Sequence, residues 1–364
     1  MTKKENALKL FLAAVCVFAV VFSLIEPERT ARAAFAALSL CAEKVVPGVF
    51  IFMFSARVLV LFGAPRLFSR LTGGAFERVF CVSPGGAAVI FLGLIAGYPS
   101  GAAVASELMR CGSLGREESA RILPFATAAS PAFLLSAVGS LMGVRFGAVM
   151  LASQLLSAII LLFLTRGRGE IKADALRETA PVRPPEVFTA ALKSSGAAAL
   201  NICSFVTFFY VFSDMLLALF PAEGIFAALF SGALEISCGF SRLSSCGAGV
   251  ALRFFCGGAI LGFGGFSVLL QSADAAGEGG FCFGRYIVSK AVQALLCGAL
   301  AAAIGLLCEG AYVREVFLFF GSEQGKVAAL LQMLAVFCLI FAFLAIQIKI
   351  FAKIFKKLWK KSNL

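Results

Sequence analysis

Long apolar runs alternate along this chain with short connections that are basic or rich in glycine and proline. The runs fall at about 8–25, 45–62, 86–109, 120–142, 146–165, 196–219, 224–241, 249–271, 286–308 and 327–350. Most reach the ~18 to 20 residues needed to cross a ~30 Å hydrocarbon core at ~1.5 Å per residue. The apolar residues fill the runs instead of alternating with period two, which argues against an outer-membrane barrel. The pattern predicts an all-α polytopic membrane protein.

Some runs are interrupted. The third carries "GYPSG" (97–101), which leaves legs of ~11 residues or ~17 Å, enough to reach the bilayer midplane and no further. The seventh, "ALFSGALEISCGF" (228–240), places Glu235 among apolar residues. The fourth reads "FATAASPAFLLS" (125–136), with Thr127, Ser130 and Pro131. The eighth reads "GGAILGFGGFSV" (257–268), with Gly262, Gly264 and Gly265. Irregular backbone at membrane depth is tolerated only where protein or a polar cavity satisfies it.

Charge placement selects between topologies. If all ten runs cross and the N-terminus is inside, 16 Lys/Arg lie outside and 15 inside, with Arg57 inside a span, so there is no bias. If 86–109 and 224–241 instead dip in and return, 8 lie outside and 23 inside, as the positive-inside rule prefers. The expectation is about eight full spans plus two re-entrant hairpins, with both termini cytoplasmic. The N-terminal run is expected to be a retained helix and not a cleaved signal peptide, because A-R-A (31–33) lies well beyond the apolar stretch.

The order then repeats upside down. A span, a hairpin, an interrupted span and a further span occupy 40–165, and the same order occupies 194–310. "FIFMFSARVLVLF" (50–62) set on "FFYVFSDMLLALF" (208–220) matches at six of thirteen positions. The expected organisation is an N-terminal transmembrane helix (1–30), a first inverted repeat (40–165), a cytoplasmic linker (166–193), a second repeat (194–310), and a C-terminal transmembrane helix with a basic tail (327–364). Inverted repeats with broken helices meeting at midplane describe a secondary transporter.

Composition excludes more than it selects. At 60% hydrophobic and 14% charged, the chain is no water-soluble domain. Its +12 net charge sits in loops and in the C-terminal "KIFKKLWKK", so it points to headgroups and topology and not to nucleic acid. Histidine is absent and the twelve cysteines include no C-x-x-C, so no metal site or cofactor is expected. With no P-loop and no nucleophile–base pair, neither ATP hydrolysis nor another enzymatic activity is expected.

Four stretches carry a family resemblance: "AGYPSGAAVASEL", "ESARILPFATAASPAF", "GALEISCGFSRL" and "GFGGFSVLLQ". With them the chain resembles the sporulation integral membrane protein YlbJ family. That family is related to the nucleoside-recognition, or gate-domain, membrane proteins, which in turn resemble the concentrative nucleoside transporter fold. The resemblance covers about residues 40–310. It implies two re-entrant hairpins, two discontinuous helices, a place in the membranes of a developing endospore, and a link to uptake of dipicolinic acid. It marks Gly97, Tyr98, Pro99, Ser100, Gly101, Ser130, Pro131, Glu235, Gly262, Gly264 and Gly265.

The expected substrate-binding set is Tyr98, Ser100, Gly101, Thr127, Ser130, Glu235, Ser237, Ser267 and Gln271, with Gly97, Pro99, Pro131, Gly262, Gly264 and Gly265 forming hairpin tips and breaks. An acid inside an apolar hairpin is costly and usually functional, which makes Glu235 the sharpest candidate. Arg57 and Asp214 stand at nearly equivalent places in the two aligned spans, as a candidate charge pair, although Arg57 is also close enough to the end of its span to snorkel. The expected function is secondary transport of a small organic anion or nucleoside-like solute, with Na⁺ or H⁺ as candidate coupling ion. The alternative is a non-transporting component of a spore-membrane complex. Lipid, a small-molecule solute, a second copy of the chain or other sporulation membrane proteins are the expected partners.

Overall fold

Proline opens several of the described helices. Its φ suits the first helical turn, where its missing N–H would have no partner anyway. Pro27 starts α2, Pro84 starts the first hairpin, and Pro184 and Pro185 start the longest helix. The computed structural model describes residues 3–62, 74, 76–167, 183–277 and 281–308. The C-terminal helix expected at 327–350, with its basic tail, lies outside the described residues.

Helix α1 spans Lys3–Ile25. It is followed by α2 (Pro27–Leu40), a π-helical turn (Cys41–Val45) and α3 (Val46–Leu61) in near-continuous succession. The stretch 26–44, between the first two apolar runs, is therefore largely helical. Its alanines (31, 33, 34, 36 and 37) favour helix, and Ala33 and Ala37 are buried as α2 packs against α9.

The first hairpin consists of α4 (Pro84–Ala96) and α5 (Ser100–Arg110). Ser83 caps α4 by accepting from the Gly86 N–H at 3.0 Å. The legs run antiparallel: Gly93 lies against Gly101 at the tip, and Gly85 lies against Leu108 and Ser113 at the base. At ~20 Å and ~17 Å, neither leg alone spans a bilayer. Helix α6 (Arg116–Ala126) ends at Thr127, and after the break at 128–130 the chain re-enters helix at Pro131, through a π-helical stretch (Phe133–Val138) and α7 (Gly139–Met142). Helix α8 (Val144–Leu164) completes this half.

Helix α9 runs Pro184–Leu219, 36 residues or ~54 Å. It starts ten residues before the end of the expected linker (166–193), because the proline pair initiates helix and Val187 and Ala191 find buried contacts. A second antiparallel hairpin follows, α10 (Gly224–Leu234) and α11 (Ile236–Ser244), closed at Gly232 and Gly239. Helices α12 (Val250–Phe263) and α13 (Gly265–Ala276) are parted at Gly264, and α14 (Phe283–Cys308) closes the described fold. Positive φ at Gly264 (+85°) and Gly265 (+75°) makes this break, a conformation that costs glycine least.

Gly262, expected at the break, lies inside α12 instead. There it admits the backbone of α14 at Gln293 and Ala294, while Gly258 does the same one turn earlier at Cys297 and Gly298. Small residues permit such close helix approach in membranes. Among the described residues, five helical stretches are long and apolar enough to cross a membrane: Pro27–Leu59, Val144–Leu164, Pro184–Leu219, Val250–Ala276 and Phe283–Cys308. Leu24, Leu200, Phe226, Leu295 and Leu307 project outward, each more than two-thirds exposed or nearly so, as lipid-facing positions should.

Candidate functional site

A helix break at depth leaves carbonyls and N–H groups that need partners. At the first break, Tyr98 N–H, from the tip of the first hairpin, donates to Ala128 O at 2.9 Å. Gln154 of α8 clamps the next residue, accepting from Ala129 N–H at 3.0 Å and donating to Ala129 O at 2.9 Å. Thr127 Oγ1 meets Tyr286 Oη of α14 at 2.7 Å. Ser130 Oγ accepts from the Phe133 N–H at 3.2 Å, capping the helix that follows. Gly97 sits at φ +78°, and a Cβ there would come within 2.9 Å of Ser130. Tip and break are therefore in direct contact.

The second half makes the same junction. Glu235, 3% exposed, parts α10 from α11, and its carboxylate caps α11 by accepting from the Cys238 N–H at 2.8 Å. The hydroxyl and N–H of Ser237 also face it. Gly265, at the start of α13, packs on this tip: a Cβ there would lie 3.1 Å from the carbonyls of Gly232 and Leu234. Further along α13, Ser267 Oγ accepts from Gln271 Nε2 at 3.0 Å, and Gln271 Oε1 is buried with no hydrogen-bond partner among the described residues.

The two junctions meet at a cavity lined by Gly97, Tyr98, Ser130, Glu235, Ser237 and Gln271, with apolar walls from α2–α3 and α9 including Val49 and Val206. Its volume is about 20 Å³, room for a water molecule or a bare ion but not for an organic solute. Among the described residues, one carboxyl and no basic side chain line it, so its chemistry suits a proton or a cation directly. An organic anion would need Glu235 protonated or an altered conformation.

Five of the nine expected binding residues thus line one cavity. The other four sit around it. Ser267 reaches it through Gln271. Thr127 is engaged by Tyr286. Ser100 begins α5 with its N–H on Gly97 O, and Gly101 packs against Ala126 O and Gly93. Pro99 lies in the tip turn, and Pro131 starts the helix after the break. The Arg57–Asp214 pair is not made. Asp214 instead holds Arg29 of α2 at 2.8 Å and Arg242 of α11 at 3.1 Å, because those guanidinium groups lie on the helices packed beside it.

Gln154, Tyr286, Lys290 and Gln293 were not anticipated. All are at most 3% exposed and serve the same region. Lys290 stands near the start of the apolar run 286–308. A polar residue early in an apolar run was the available signal, and it did not reveal which neighbour the side chain would meet.

The chain is similar to Sporulation integral membrane protein YlbJ of Bacillus subtilis (strain 168), 24% identical over 325 residues that cover 78% of this chain and 79% of the relative. No family model and no solved structure matches it. An integral membrane relative of near-equal extent, together with five membrane-length apolar helices, makes this a multi-pass membrane protein.

Proposed function

We propose that this chain, assigned to the YlbJ family by that likeness, is a secondary transporter of a small organic solute that works by alternating access in the membranes of a sporulating cell. In this reading the two hairpins are re-entrant, the two halves are inverted repeats, and both termini are cytoplasmic. The element order supports it: α3, hairpin, broken helix and α8 are matched by α9, hairpin, broken helix and α14. The observation that carries the reading is the convergence of both hairpin tips and both broken-helix segments on one cavity. Packing alone requires no such meeting, whereas a midplane site between two half-membrane hairpins does.

The cavity is closed to an organic solute in the described conformation, as an occluded or empty state of such a cycle would be. Glu235 is the titratable group at its centre and the natural proton carrier or cation ligand. Solutes to try are small dicarboxylates such as dipicolinate, and nucleosides.

Purified protein in liposomes, loaded with unlabelled solute and offered labelled solute outside, tests the reading. Wild type should accumulate one of these classes, and Glu235→Gln and Ser130→Ala should abolish uptake while remaining folded. Full uptake by both variants would remove the cavity as the site. If no solute binds or moves and a stable protein partner co-purifies, the chain is instead a non-transporting component of a sporulation membrane complex. The small volume of the cavity is the feature that favours this second reading.

A further inference from the structure

Lys290 takes no part in the cavity, yet it is 2% exposed in the apolar helix α14. A charged side chain at such a place needs compensation. Among the described residues no carboxylate lies within ion-pair distance of it. What faces its ammonium is a set of neutral oxygens: Gln293 Oε1 at 2.9 Å, and the main-chain oxygens of Pro124 and Thr127, each at 3.4 Å. The break explains why those carbonyls are available. Helix α6 ends here, and four residues after Thr127 stands Pro131, which has no N–H to offer. On the other side, Lys290 Cε lies 3.4 Å from the Cβ position of Gly264, which caps the C-terminus of α12. The ammonium therefore sits beside the C-terminal ends of two half-helices, each carrying about half a negative charge.

Two backbone carbonyls and an amide oxygen at half-helix C-termini make the ligand chemistry of a monovalent cation such as Na⁺, and would repel an anion. We propose that the Lys290 ammonium is a built-in cation that fills this oxygen site between the two helix breaks, so that no free Na⁺ is bound there. One consequence rests on the transport reading: ion coupling in such a cycle would run through Glu235 and not through a metal ion at the breaks. The cation site itself does not depend on that reading.

Thermal unfolding of the purified full chain tests the site without any transport assay. Sodium, ammonium and choline chloride are compared at equal ionic strength. Wild type sets the reference, because any sodium effect it shows comes from sites other than this filled one. Lys290→Ala, which empties the site, should unfold lower in choline and recover in sodium or ammonium by about 5 °C more than wild type gains, since a ligand of the native state raises apparent stability. Lys290→Met, which fills the space without charge, should be destabilised in every salt. If Lys290→Ala folds only when extracted in sodium or ammonium, that also supports the proposal. A Lys290→Ala protein that gains no more from sodium or ammonium than wild type does overturns it, as does a Lys290→Met protein as stable as wild type. A sodium effect of equal size in wild type and Lys290→Ala, which marks binding at the Glu235 cavity alone, overturns it too.

Discussion

Tyr98 and Ala128 are joined through their main chains, with the Tyr98 N–H donating to the Ala128 carbonyl at 2.9 Å. Neither group is placed in a regular helix, since Tyr98 follows the end of α4 and Ala128 lies in the break after α6. One bond thus serves two interruptions of the backbone. The tip of the first hairpin is registered against the broken helix before any side chain is considered.

That register depends on Gly97, whose φ is +78° and whose missing Cβ leaves room for Ser130. Gly97→Ala should lower stability by about 2 kcal/mol or more, combining backbone strain with a clash. Gly112→Ala is the control, because Gly112 has a similar φ of +72° but open space around it. Thermal unfolding in detergent should show the Gly97 variant melting below the Gly112 variant. Equal melting would mean that contact with Ser130 contributes nothing.

Gln154 is a structural clamp for the same break, pairing with both the N–H and the carbonyl of Ala129. Gln154→Leu keeps most of the volume and strands both groups in an apolar interior. It should cost about 2 to 4 kcal/mol, the penalty for two buried backbone groups left unpaired. A melting temperature unchanged from wild type would show that other groups satisfy Ala129.

The hairpin reading makes a topological prediction. With two re-entrant segments and the N-terminus inside, residue 111 faces the cytoplasm and residue 245 faces out. With ten full crossings, both face out. Cys111 and Ser245 are both exposed, at the bases of the two hairpins. In variants whose only cysteine is Cys111, or Ser245→Cys, a membrane-impermeant maleimide added to intact cells should label position 245 and spare 111 until the membrane is opened. Labelling of Cys111 from outside would place 86–109 across the membrane.

Asp214 draws together α2, α9 and α11 through Arg29 and Arg242. These side chains are roughly a quarter to two-fifths exposed, so screening keeps the effect small, and Asp214→Asn should cost about 1 kcal/mol. Paired with Arg242→Ala the losses should be non-additive, and paired with Arg57→Ala additive. The difference from wild type should also shrink as salt rises. Coupling to Arg57 in the double-variant cycle would restore the pair expected from the sequence.

Much of the fold was legible because a membrane restricts the options. Apolar run length indicated the helices, and glycine and proline marked the interruptions at 97–101, 127–131 and 264–265. Glu235 stood out because an acid in an apolar run is expensive. Misreadings came where one residue type serves two ends of a helix or two purposes. Pro184 and Pro185 looked like linker and begin a helix, and Gly262 looked like a break and is a packing contact.

Sequence alone determined the solvent this chain lives in, most of the places where its helices fail, and the acid within an apolar hairpin. Tertiary structure decided the partners. A freed carbonyl at Thr127 or Ala129 has no direction along the sequence. That Tyr98, Gln154 and Lys290 meet this break follows only from how α4, α8 and α14 pack around it. The same holds for Asp214, whose nearest guanidinium groups are set by neighbouring helices and not by its equivalent position in the other half.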